Sequence, residues 1–144
     1  MIYLQEMARQ IRGSTLEILE YAEDPWLTWT PPGTSNHILW HAGHALWLQD
    51  VLCIRPLTGT SELPEGWSAR FGQDSRPAYV SEWPLRGEVQ SRLELQLQRI
   101  LQVLEDRMSG RVESQLASRI IHGLHDEARH QGETYLLLKL CRTR

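Results

Sequence analysis

The sequence predicts an all-α protein built as a four-helix bundle, with one long crossover between the second and third helices. Apolar residues recur at helical intervals in four segments, and almost no segment alternates as a strand does. The 144 residues are enough for one domain with a substantial core, so we expect a single domain over residues 1–144. A short turn before the last helix and one long connection favour a bundle whose second and third helices lie parallel.

The first two predicted helices have clear ends. The first spans about residues 2–22 and stops before Asp24-Pro25. The second runs from about residue 36 to residue 54, with candidate N-caps just before it and helix breakers just after it. The candidate caps are Thr34, Ser35 and Asn36, and the breakers are Pro56 and Gly59.

A connection of about 30 residues follows, and we refer to residues 55–84 as the crossover. Loops of this length are uncommon in compact domains unless they carry function or connect distant ends. Residues 65–71 are compatible with one short helical turn inside it.

The third and fourth helices complete the bundle. The third opens near Ser81 or Pro84, because proline suits the first turn of a helix. Ser109-Gly110 is a tight break, and the fourth helix is expected over about residues 112–140.

The composition argues against nucleic-acid and membrane partners. The formal net charge is −3 and both signs are mixed along the chain, so the sequence offers no basic face. No run approaches the roughly 18 apolar residues of a membrane span, and no signal peptide is evident, so we expect a cytoplasmic protein. Cys53 and Cys141 are too few for a disulfide framework, and each is expected in the core.

Tryptophan is frequent in the predicted connectors. Four of the six tryptophans lie there, and we expect them to cover the ends of the bundle, with the lining of a ligand mouth as the alternative. They are Trp26, Trp29, Trp67 and Trp83.

All six histidines fall in two short segments, one on the second helix and one on the fourth. At 100° per residue, His37, His41 and His44 share one stripe with apolar residues, and that stripe is expected to face the core. One such histidine would usually be a hydrogen-bonded core residue. Three on one stripe favour a site, since imidazoles and carboxylates from two helices suit a divalent transition metal.

The second segment adds carboxylates. Asp126 and His130 are an i,i+4 pair on one face, and Glu127 and His130 are an i,i+3 pair, so spacing does not choose between the carboxylates. Gly123, one turn above, is expected to leave space for a ligand. The alternative is a solvated face of helix charge pairs. His122 and His125 point away from this face.

Two motifs resemble the DinB-like superfamily. Trp40-His-Ala-Gly-His44 resembles its motif on the second helix, and His130-Gln-Gly-Glu133 resembles its signature on the last helix. The resemblance covers essentially the whole chain. It implies an up-down-down-up bundle that usually dimerises, in which one histidine of the second helix and two residues spaced i,i+4 on the fourth hold nickel, zinc or iron.

Carried over by position, the resemblance implies His44, Asp126 and His130 as metal ligands. The family usually has histidine where this chain has Asp126, but relatives that isomerise maleylpyruvate with a thiol cofactor carry a glutamate there. His125 would fit only if the helix contained a π-bulge. His41 is the alternative to His44.

The resemblance leads us to expect a metal-dependent enzyme acting on a small molecule, a thiol-dependent S-transferase or isomerase. The metal would activate a low-molecular-weight thiol or water, with Glu127 as a base or fourth ligand. The alternative is a non-catalytic bundle that binds metal or a small ligand. Apolar residues beyond those of one core predict a homodimer. They include Leu93, Leu97, Leu136 and Leu140.

Overall fold

The structure, a computed structural model, describes residues 2–108 and 114–143, and within these ranges the chain is helical and contains no strand. Four long helices form the body: α1 (Ile2–Tyr21), α3 (Ile38–Gln49), α6 (Arg86–Met108) and α7 (Ser114–Thr143). Helix α1 packs against α6 and α7, and α3 packs against the same two helices. The all-α fold is therefore confirmed, while the up-down-down-up order of the helices stays a prediction.

Short elements fill the connections. Helix α2 (Asp24–Leu27) lies between α1 and α3. The crossover contains α4 (Arg55–Thr58), α5 (Trp67–Phe71) and a 3₁₀ turn (Pro77–Tyr79). Helix α5 confirms the helical turn predicted within residues 65–71. The predicted break at Ser109-Gly110 and the predicted start of the last helix at residue 112 lie outside the described residues.

The N-terminus of α3 differs from the prediction. The N-cap is His37, and its Nδ1 accepts a hydrogen bond from the backbone N–H of Trp40 at 3.0 Å. The cap predicted among residues 34–36 was thus placed too early. The imidazole reaches the third amide of the helix as a Ser or Asn side chain would.

The C-terminal end of α3 continues through a π-helical segment, Asp50–Ile54, into α4. The N–H of Arg55 donates to the carbonyl of Asp50, and the chain leaves the helix at Gly59, which has a φ of 84°. Pro56 did not end the helix because it lies in the first turn of α4, where a missing N–H has little cost. The predicted end at residue 54 was therefore four residues short.

Asp50 fastens the start of the crossover to this segment. Its side chain is fully buried and accepts hydrogen bonds from Arg55 Nε at 2.9 Å, Ser61 Oγ at 2.7 Å and the N–H of Glu62 at 3.1 Å. A buried carboxylate is stable when its oxygens are paired in this way. These contacts attach the first residues of the crossover, from Arg55 to Glu62, to the π-helical segment.

In the described part of the chain, the buried apolar side chains form two clusters. Leu93 is 0 % exposed and belongs to one of them. The prediction that Leu93 is an apolar residue outside the core, available for a dimer contact, was therefore wrong. Leu97 is half-buried against the other cluster, whereas Leu136 is 56 % exposed. Cys53 is buried in the core, and burial raises the pKa of its thiol to about 11. None of the described helices is both long and apolar enough to cross a lipid bilayer.

A buried ion pair joins α1 to α7. Arg12 is 0 % exposed, and its guanidinium donates to the Glu127 carboxylate with Nε 3.0 Å from Oε2. It also donates to the Leu93 carbonyl at 2.9 Å and to Gln96 Oε1 at 3.0 Å. Thr15 Oγ1 donates to Glu127 Oε2 at 2.7 Å. Both charges are therefore paired and hydrogen-bonded, as burial requires.

Candidate metal centre

Helices α3 and α7 pack side by side and bring five titratable side chains together. We call them the histidine cluster: His41 and His44 from α3, and Asp126, His130 and Glu133 from α7. The three residues predicted as ligands, His44, Asp126 and His130, offer ligand atoms that all lie within 4.8 Å of one another. The arrangement follows from helix phase, because residues three or four apart share a face.

Gly123 allows the two helices to approach. A Cβ atom at this position would lie 2.4 Å from Nε2 of Gln49, whose amide donates to the carbonyl of Ile120 at 3.0 Å. The predicted open space above the site is therefore occupied by Gln49, and that interpretation was wrong. The glycine serves the packing of α3 on α7 and not ligand access.

His44 is held in one tautomer by the crossover. Its Nδ1 lies 2.8 Å from the Phe71 carbonyl, and since a carbonyl only accepts, Nδ1 carries the hydrogen. The lone pair of the neutral ring is then on Nε2, which lies 3.6 Å from Asp126 Oδ2. The rings of Trp40 and Trp47 stack on His44 at centroid distances of 4.5 and 5.3 Å. The imidazole thus has little freedom to turn.

Gly43 allows α5 to reach this position. A Cβ atom on Gly43 would lie 2.2 Å from the Phe71 ring, so any larger residue would push α5 away. Trp67 Nε1 donates to the Gly43 carbonyl at 3.0 Å and closes the same contact. The role of Phe71 could not be predicted from the sequence, because any residue type has a backbone carbonyl.

Asp126 supplies the carboxylate. Its Oδ1 accepts from Arg129 at 3.1 Å, while its Oδ2 is buried without a hydrogen-bond partner in the described structure. Oδ2 lies 3.3 Å from His130 Nε2. Burial by itself would raise the pKa of Asp126, but His130 and His44, which when protonated offer it hydrogen bonds and positive charge, lower it more, so the net pKa lies far below its ordinary value. The carboxylate is therefore ionised at neutral pH.

His41 and Glu133 extend the cluster toward solvent. The Nδ1 atoms of His41 and His130 are 2.8 Å apart, and His41 Nε2 lies 3.3 Å from Oε2 of Glu133, whose side chain is 64 % exposed. Burial, followed by the neighbouring histidines, lowers the pKa of His41 to about 3, although Asp126 opposes the shift. His41 is therefore neutral at ordinary pH. A cleft of about 330 Å³ borders His41 and Glu133, with Leu136 and Leu140 on its apolar wall.

Among the described residues, two overlapping groups could supply metal ligands. His44, Asp126 and His130 form one, and His41, His130 and Glu133 form the other. The first group contains the unpartnered Asp126 Oδ2, whereas the nitrogens of the second group's histidines already form a contact of 2.8 Å with each other. Two imidazoles and a carboxylate are a donor set for zinc, nickel or iron. The residues of the first group therefore fit a divalent transition metal.

The remaining candidates lie elsewhere. Glu127 is engaged by Arg12 and Thr15, so it is not available as a base or fourth ligand. His37 caps α3, and burial lowers its pKa to about 4. His122 and His125 are exposed, and α7 is α-helical from residue 114 to residue 143, so no π-bulge turns His125 inward.

The family model of the DinB superfamily matches residues 7–134, which is most of the chain. The matched region includes α3, the part of α7 up to Thr134 and every residue of the histidine cluster. The protein belongs to the DinB superfamily. No curated protein shows significant similarity to the chain.

Proposed function

We propose that the protein is a metal-dependent enzyme that binds a divalent transition ion, nickel, zinc or iron, through His44, Asp126 and His130. The unpartnered Asp126 Oδ2 is the observation that carries the proposal. A buried carboxylate oxygen facing two imidazole nitrogens without a hydrogen bond is costly unless a cation completes the site. Membership of the DinB superfamily supports it.

The reaction we propose is thiol-dependent, either S-transfer or isomerisation of a small molecule. When bound, the metal supplies Lewis acidity, which lowers the pKa of a thiol or a water molecule towards neutral pH. Phe71 and the tryptophans hold the His44 ring, so that its Nε2 keeps one direction. Glu133, at the cleft, is the carboxylate positioned to accept a proton released there.

The metal site is tested by elemental analysis and calorimetric titration of untagged protein. We expect about one ion per chain, and we expect His44→Ala, Asp126→Asn and His130→Ala each to reduce affinity by about tenfold or more, since one of three ligands is lost. His122→Ala on the exposed face of α7 is the matched control and should bind as wild type does.

Equal binding by His130→Ala and wild type would reject the assignment. Absence of metal after tag-free purification, together with unchanged stability in chelator, would instead support a non-catalytic bundle whose histidines form a buried polar network.

The setting we propose is a cytoplasmic homodimer. Leu136 is 56 % exposed and Leu140 is 37 % exposed, and both project from α7 beside the cleft. Burial of these side chains against a second copy would stabilise a two-fold contact. This interface would lie near the histidine cluster without containing its ligands.

A further inference from the structure

A second cleft, of about 670 Å³, lies beside the N-terminus of α3 and has walls of a different character. Its volume is that of an ordinary small-ligand pocket. The connector before α3 contributes the hydroxyls of Thr28, Thr30 and Ser35, and the crossover contributes Arg76. Among the described residues that line this cleft, none is acidic.

His37 lines the cleft and carries an unpartnered donor. Its Nδ1 accepts from the N–H of Trp40 at 3.0 Å, so Nδ1 holds the lone pair and the hydrogen of the neutral ring is on Nε2. The residue is 3 % exposed, and Nε2 is buried without a hydrogen-bond partner in the described structure. A buried N–H without an acceptor is destabilising, so an acceptor group from a ligand would relieve that cost.

Arg76 supplies one positive charge. It is exposed at the cleft, and within the described part of the chain no ion pair neutralises its guanidinium. A single cation among neutral donors suits an anion with one charge better than a phosphate dianion. A carboxylate fits this set, because its two oxygens accept from a guanidinium and from further N–H or O–H groups.

The cleft also has apolar and aromatic lining residues. The rings of Trp83 and His37 are nearly perpendicular, with their centroids 4.4 Å apart and their planes at 79°, and Pro77 and Val80 also line the cleft. Such a wall would contact the hydrocarbon part of a ligand. Thr34 and Ser35 border both this cleft and the cleft at His41, so the two adjoin.

We propose that this cleft is a second ligand site, which binds a small monocarboxylate with an aromatic or aliphatic body. Arg76 and His37 Nε2 receive the carboxylate, and Trp83 contacts the body. The site does not depend on the metal. It places the ligand next to the cleft that reaches the histidine cluster.

The test is calorimetric titration of chelator-treated protein, so that coordination to a metal cannot produce a signal. The probes are acetate, benzoate and 3-phenylpropionate, each paired with its neutral amide. We expect 3-phenylpropionate to bind, with its amide about tenfold or more weaker, because the charge-assisted contacts are lost. Equal binding of acid and amide, or no binding of any acid at about 10 mM, would overturn the proposal.

Two variants assign the contacts. Arg76→Gln removes the charge at an exposed position, and His37→Asn keeps a capping side chain while removing the Nε2 donor. Each substitution should lower the affinity for 3-phenylpropionate about tenfold. Arg70→Gln is the control, because Arg70 is on the same crossover but does not line the cleft, and it should leave the affinity unchanged. If His37→Asn does not fold, the test rests on Arg76→Gln. Wild-type affinity for 3-phenylpropionate in that variant would overturn the proposal that the carboxylate binds in this cleft.

Discussion

The Nδ1 atoms of His41 and His130 lie 2.8 Å apart, and two nitrogens at that distance share one hydrogen. If His130 binds a metal through Nε2, its Nδ1 carries this hydrogen and donates it to His41. The hydrogen of neutral His41 is then on Nε2, which faces Glu133 Oε2 at 3.3 Å. One chain of contacts thus fixes the tautomers of both histidines and ends on an exposed carboxylate.

His41→Ala should weaken metal binding by about ten- to a hundredfold, because His130 loses the acceptor that orients it. Calorimetric titration with zinc measures the change. His37→Asn is the control, since His37 lies in the N-cap and contacts Trp40 and Trp83, and we expect wild-type metal affinity. Equal losses in the two variants would mean that the orienting contact is not what His41 contributes.

Gly43→Ala should lower the free energy of unfolding by about 2 kcal/mol, because the new methyl group would overlap the Phe71 ring. It should also reduce metal affinity, since displacement of α5 removes the carbonyl that holds His44. Gly132→Ala is the matched control. A Cβ atom there has no neighbour within 4 Å, so this helical substitution should raise the free energy of unfolding by at most about 1 kcal/mol. Denaturant unfolding compares them, and comparable stability of the two variants would contradict the packing argument.

Glu127→Gln should destabilise the protein by about 3 kcal/mol, because it leaves the buried Arg12 guanidinium without a counter-charge. Metal stoichiometry at saturation should remain that of wild type, since Glu127 belongs to neither group of possible ligands and its carboxylate is engaged by Arg12 and Thr15. Chemical unfolding and metal analysis of the same sample separate the two effects. Loss of metal from a variant that is still folded would restore Glu127 as a candidate ligand.

The metal-free protein should lose stability as the pH falls from about 6.5 toward 4. The folded pKa values of His37 and His41 are lowered to about 4 and about 3, so over this window the unfolded chain binds protons that the folded protein does not. Each histidine contributes a slope of up to about 1.4 kcal/mol per pH unit. The lowered pKa of Asp126 extends the loss to lower pH, because below about pH 4 the unfolded chain binds a proton at this carboxylate that the folded protein does not.

Urea unfolding of chelated protein across this range measures the slope. His37→Asn should reduce it by about half, and the exposed His122→Gln should not change it. A stability that is constant between pH 6.5 and 4.5 would contradict the prediction.

Light scattering at neutral pH should report a dimer with and without chelator, because the proposed contact is apolar and excludes the ligands. Leu136→Glu should dissociate it. Leu95→Glu is the control, since Leu95 is 69 % exposed on α6 and away from the proposed contact. A monomeric wild type in both conditions would reject the dimer, and dissociation by chelator would mean that the metal contributes to the interface.

The helices and the proximity of Asp126 to His130 could be predicted from the sequence because both depend on short-range geometry, whereas the choice of ligands rested on the family resemblance and stays a prediction. Asp126 and His130 are four residues apart on one helix, so the fixed rotation per residue already places them on one face. The phase of α3 likewise turned His41 and His44 toward the core. The all-α class followed from the same periodicity.

What the sequence did not reveal depends on partners far along the chain. Glu127 is unavailable as a metal ligand because it pairs with Arg12, which is 115 residues away in the sequence. The space beside Gly123 is filled by Gln49 from another helix. His37 shares the helical phase of His41, yet the helix begins after it, so its ring caps the helix instead of joining the cluster. Helical spacing has no information about any of these contacts.

The Phe71 carbonyl that holds His44 has a consequence for redesign of the crossover. Because the acceptor is a backbone atom, its direction depends on the number of residues in α5 and far less on their chemistry. Inserting or deleting one residue between Trp67 and Phe71 would rotate this oxygen by about 100° around the α5 axis. An exposed position such as Ala69 accepts new side chains, whereas the length of α5 is fixed by an imidazole on another helix.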